Sequence, residues 1–135
     1  MSRMKWEPAP DIELRISRIV PGLDMPHVDA QRVKCIRSHG SKSRAIARIW
    51  EFPRALQVGL RMEPHYVIEV VAEEFDNLSE DEKTKTLIHE LLHIPKSFSG
   101  AIQKHRAVHF DGQGGHKVFR LDRRMVDRLF RQLKG

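Results

Sequence analysis

The feature that most constrains this chain is His89-Glu90-Leu91-Leu92-His93, a His-Glu-x-x-His spacing set in an apolar run that Pro95 brings to a stop. In a helix, His89 and His93 stand one turn apart on the same face, where two imidazoles can share one metal ion. Zn²⁺ held by neutral nitrogens brings the pKa of its bound water towards neutrality, and Glu90 is placed to take that water's proton as it attacks a carbonyl. The spacing therefore points to peptide-bond hydrolysis, with His89 and His93 as metal ligands and Glu90 as catalytic base. The competing reading is a buried helix with hydrogen-bonded core histidines. It must find partners for two imidazoles and a carboxylate.

The neighbouring residues support a helix. Ser79-Glu80-Asp81-Glu82 reads as a capping box, which predicts a start near residue 80 and an end near 94, with acids at the positive end of the helix dipole. Leu87, Ile88, Leu91, Leu92 and Ile94 supply the apolar surface. At 135 residues the chain fits a single domain, 1–135, large enough for a core but too small for a separate substrate-binding domain. The lone Cys35 excludes an intrachain disulfide and Cys-rich zinc clusters, and with the absence of a signal-like or membrane-spanning run it predicts a cytoplasmic protein without membrane contact.

The net charge of +6 is unevenly spread. Arg32, Lys34, Arg37, Lys42, Arg44 and Arg48 form a run with no acid between them, and a second basic stretch begins at Lys117. By contrast, 73–82 is acidic. Two readings stand: solvated faces matched to helix dipoles, or a surface for nucleic acid. Few aromatics interleave with the basic residues, which weakens the second.

Along the chain, prolines at 8, 10, 21 and 26 predict an irregular segment over 1–31, within which Asp11 to Val20 fits a short helix better than a strand. Val33 to Ser38 and Ala45 to Trp50 read as two strands of a basic hairpin turned at His39-Gly40-Ser41. Pro53 opens a short helix to Leu60. Tyr66 to Val71 is a strand by its β-branched and aromatic content, and Tyr66, Val67, Ile68, Glu69 and Val70 are expected to form the sheet edge that aligns an extended peptide substrate. His65 reads as a surface residue. Residues 96–120 are expected to be a loop, and because a metal held by two histidines needs a third ligand, one of His105, His109 and His116 should supply it. Asp122 then caps an amphipathic C-terminal helix with Met125, Val126, Leu129, Phe130 and Leu133 on its apolar stripe.

Ala47-Arg48-Ile49-Trp50, Tyr66-Val67-Ile68-Glu69-Val70, Ser79 to Lys83 and the run Ile88 to Gly100 resemble a family of small metallopeptidases of archaea and phages, themselves similar to the SprT-like zinc peptidases. The likeness covers over a third of the chain. It implies a compact α+β fold of the zincin type, with a small, mainly antiparallel sheet packed on the motif helix, Zn²⁺ as cofactor, Glu90 as base and a third ligand C-terminal to the helix. SprT-like chains usually carry one His, often beside Gly, just before the next helix. Gly114-Gly115-His116 matches that placement, so His116 is preferred as third ligand, then His105, then His109. The expected activity is a zinc-dependent endopeptidase acting on a protein or peptide. The alternative is a zinc-stabilised module that binds nucleic acid or protein without catalysis. The sequence leaves the oligomeric state open.

Overall fold

In a computed structural model the chain is described over residues 4–110 and 116–134, with the side chains of 106–110 and 116–120 outside the description. The elements run β1 (Lys5–Pro8), α1 (Pro10–Gly22), a 3₁₀ turn (Ala30–Arg32), β2 (Val33–His39), β3 (Ala47–Trp50), α2 (Arg54–Leu60), β4 (Tyr66–Val71), α3 (Ala72–Phe75), α4 (Glu80–Leu91), β5 (Arg106–Phe110), β6 (His116–Arg120) and α5 (Arg123–Lys134). The fold is α+β, as expected. β1 to β4 make one mixed sheet in the order β1-β2-β4-β3, and β5 and β6 form a separate antiparallel pair.

β4 lies inside the sheet because its side chains are buried on both faces, all but Val67. It pairs in parallel with β2, Val33 opposite Tyr66, and antiparallel with β3, Ala47 opposite Val70. Two expectations are corrected by this register. β2 and β3 do not form a hairpin; β4 is inserted between them. Nor is β4 an edge, so Tyr66 to Val70 have their main-chain groups engaged on both sides and are not the strand that receives a substrate. The edge on that side is β3.

The segment 1–31, expected to be irregular apart from a short helix over Asp11 to Val20, holds that helix as the thirteen-residue α1 and adds β1, antiparallel to β2. Pro10 sits in the first turn of α1, where a missing N–H costs nothing, and Asp11 and Glu13 face its positive end. Its Ile12, Ile16, Ile19 and Val20 meet Val33, Cys35, Ile68 and Val70 of the sheet, and α4 adds Leu87, Ile88 and Leu91 to the same core. α5 closes this layer through Val126, with Leu129, Phe130 and Leu133 packed against it. The contact is close. A Cβ at Gly22 would come 2.4 Å from Leu133 Cδ1.

Caps set the helix starts. Ser79 Oγ accepts the Glu82 N–H at 3.2 Å, while the Glu82 carboxylate turns to Lys85 at 4.0 Å. Asp122 accepts the Met125 N–H at 3.0 Å. α4 ends at Leu91, short of the expected 94, because the chain tightens into i→i+3 bonds from the amides of His93 and Ile94.

Several basic side chains are paired within the molecule. Arg32 pairs with Asp29 and Glu63, and Arg37 with Asp11 and Asp76. Arg48 stands 3.5 Å from the fully buried Glu69, whose Oε1 also accepts the Trp50 indole N–H at 2.9 Å. Lys85 and Lys134 join α5 to α4 through Asp127 and Asp81.

Cys35 is 1% exposed, and burial, reinforced by Glu13 and Asp11, pushes its thiol up to about 12. Since the thiolate is the reactive form, a disulfide reagent at pH 8 should label Cys35 only as fast as the protein unfolds. Rapid labelling of the native protein would contradict this placement.

Candidate metal centre

α4 delivers the first two imidazoles. His89 lies in its last turn, and His93 follows in the tightened turn beyond Leu91, so both rings face one side. The third arrives from the segment after Pro95, which is fastened to the body at successive points. Tyr66 Oη accepts the Gly100 N–H at 2.9 Å and donates to the Ala101 carbonyl at 2.7 Å. Gln57 donates to the carbonyls of Phe52 and Ser99 at 2.8 Å each. The Gln103 N–H bonds the His93 carbonyl at 2.6 Å, and the Gln103 carbonyl meets His93 Nδ1. Two residues later His105 stands over the pair.

The three imidazoles of His89, His93 and His105 have ring centroids 4.9 to 5.3 Å apart. One ring nitrogen from each lies within 4.8 Å of the others. His89 Nε2 and His105 Nε2 are separated by 3.2 Å. A tetrahedral ion with Zn–N bonds of about 2.0–2.1 Å spaces its ligand nitrogens about 3.3 Å apart, which the His89–His105 separation matches. Burial, with the His93 and His105 charges adding to it, pushes His89 down to about 4; burial also lowers His93, although the Gln103 carbonyl opposes the shift. Both are therefore neutral at pH 7, the form that offers a lone pair to a metal.

Glu90 is 5% exposed, its Oε2 has no hydrogen-bond partner, and burial pushes its carboxyl up to about 8. A buried carboxylate oxygen left without a partner is costly, and a cation at the adjacent imidazoles would offset that cost while drawing the pKa back down. Glu90, His89 and His105 open onto a cleft of about 720 Å³. The chain leading into β3 (Arg44 to Ala47), the flank of α4 and the start of α5 form its walls.

Among the described residues, His105 is the candidate third ligand that the structure brings to the pair. His105 sits at the base of the β5–β6 hairpin, its carbonyl accepting the Leu121 N–H at 2.7 Å, whereas the backbone of His116 opens β6 opposite Phe110, at the far end. The side chains of His116 and His109 lie outside the described residues. Residues 96–120, expected to be a loop, contain this hairpin. His65, half-buried, bonds the Glu63 carbonyl at 2.7 Å and, among the described residues, belongs to no histidine group.

Gln103 is the residue that sequence reasoning missed. It orients His93 through its main-chain carbonyl, a role any residue type can fill and no side-chain pattern reveals.

Three convergent imidazoles beside a partnerless glutamate, on a helix that backs a sheet with a free edge, are the marks of a His-Glu-x-x-His metallopeptidase. Residues 4–134 match the family described as "Putative phage metallopeptidase", and the chain belongs to that family. Comparison with curated proteins and with solved structures gives no match. Among the described residues no helix is long and apolar enough to cross a membrane.

Proposed function

We propose that the chain is a zinc-dependent endopeptidase in which His89, His93 and His105 hold the metal and Glu90 is the general base. The observation that carries this reading is the convergence of three imidazole nitrogens next to a buried carboxylate oxygen with no partner. The metal, when bound, supplies Lewis acidity that polarises the scissile carbonyl and acidifies water. Glu90 takes the proton of the attacking water and passes it to the leaving amine. His93, its Nδ1–H directed to the Gln103 carbonyl, keeps Nε2 turned to the ion, the tautomer being assigned from that partner. β3 is the last strand of its sheet, so its outer edge can align an extended peptide through main-chain hydrogen bonds. This favours unfolded or flexible chains over compact ones.

The test has two parts. Purified protein reconstituted with zinc should hold close to one equivalent; His105→Ala should lose it and His116→Ala should keep it. Incubation with a diverse mixture of unfolded proteins should then generate new termini, read by mass spectrometry. Less than a tenth of an equivalent of any transition metal after reconstitution, or no termini beyond those of a metal-free control, would overturn the reading.

A further inference from the structure

The charges lining the cleft do not cancel evenly. Its acids are each engaged: Asp127 faces Lys85 Nζ at 3.4 Å, Glu82 faces the same ammonium at 4.0 Å, Asp122 caps α5, and Glu90 is buried beside the imidazoles. Lys85 is thereby matched twice over. Among the described residues the remaining cations are Arg44, on the chain entering the edge strand, and Arg123, the first residue of α5. Both are exposed, and among the described residues neither has a carboxylate within 4.0 Å. They contrast with Arg32 and Arg37, each held by two carboxylates. Two walls of one cleft therefore each present a guanidinium whose planar fork of donors fits a carboxylate.

We infer that the cleft selects peptides carrying a carboxylate close to the scissile bond, with Arg44 and Arg123 as the specificity-determining residues. The inference rests on the peptidase reading above for the meaning of "scissile". A peptide laid along β3 passes Arg44 as it enters the cleft, and closing the cleft around it removes water that would otherwise screen the pair. The carboxylate has two sources. It is the side chain of an internal Asp or Glu, or the α-carboxylate of a peptide's own C-terminus, in which case cleavage is confined to chain ends.

Metal-loaded Glu90→Gln protein, which binds without turnover, separates these cases by fluorescence anisotropy with labelled peptides of one length. The probes carry Glu, Gln or Lys at one internal position, each as the free acid and as the C-terminal amide. The expected result is binding at least about tenfold tighter for the carboxylate-bearing peptides than for their neutral counterparts. The ratio should fall towards one when Arg44→Gln or Arg123→Gln is added, and Arg44→Glu should turn the preference towards Lys. A preference for Glu over Gln in the amides identifies a side chain; a preference for acid over amide alone identifies the C-terminus. Equal binding, no binding, or a preference that survives both arginine substitutions together would overturn the inference. Turnover by wild type keeps the two readings apart. Cleavage of acidic and neutral peptides at equal kcat/KM removes the selection and leaves the peptidase, whereas selective binding without cleavage does the reverse.

Discussion

Replacing Glu90 with Gln is expected to lower peptide hydrolysis by about a hundredfold or more while zinc stays bound at one equivalent. The substitution keeps size and shape in a site where the side chain is 5% exposed, and it removes the ability to accept a proton together with the carboxylate's charge. None of the three imidazoles is touched, so metal content should not change. Stability offers a third readout. Glu90 Oε2 is buried without a partner, and an amide has no charge to desolvate, so the metal-free variant should unfold at a temperature no lower than wild type. Unchanged hydrolysis would sink the assignment of the base. Loss of zinc would mean that Glu90 shapes the site rather than acting in it.

Gly100→Ala is expected to damage the protein as a whole. Gly100 has φ +95°, which a side chain rarely adopts, and an added Cβ would lie 2.4 Å from the Phe52 carbonyl oxygen and 2.5 Å from Gln57 Nε2. The first of these is backbone and cannot swing aside. Strain and overlap together should cost about 3 kcal/mol, a fall in Tm on the order of 10 °C. Gly100 also lies on the fastened segment that ends in Gln103 and His105, so zinc affinity should fall with stability. Gly59→Ala is the control: nothing lies within 4 Å of its Cβ, it sits inside α2, and it should stabilise by about 0.5–1 kcal/mol. Thermal unfolding and zinc titration of the two variants side by side check the pair. A Gly100→Ala protein with wild-type Tm and zinc affinity would show that the segment does not position the site.

The parts of this structure that could be read from the sequence are those written in neighbouring residues. Ser79 and Asp122 announce helix starts because a cap acts over three residues, and the helical spacing of His89 and His93 is itself a geometric statement. Strand pairing is not local, and neighbouring residues do not encode it. His39-Gly40-Ser41 looks like a hairpin turn, yet β2 and β3 are separated by β4. A signal for this was present: Tyr66 to Val71 is apolar almost without alternation, the pattern of a strand buried on both faces rather than of an edge. Glu69 disguised it, since a glutamate in a strand suggests a solvent-facing side, whereas here it is enclosed and bonded to Trp50. The third imidazole was ambiguous for a similar reason. His105 is brought in by bonds to Tyr66 and Gln57, which lie far away along the chain, and by main-chain groups that carry no sequence signature.

The parallel pairing of β2 with β4 also bears on when the site can exist. Parallel strands cannot be joined by a tight turn, so Val33 to Ser38 must wait for Tyr66 to Val71 to be present before the centre of the sheet can close. Such non-local pairing is a slow way to begin folding. α4 packs on that sheet, and its histidines meet the third only when the chain has been completed past residue 105. A polypeptide emerging from a ribosome would thus display the whole His-Glu-x-x-His sequence before the three imidazoles could converge.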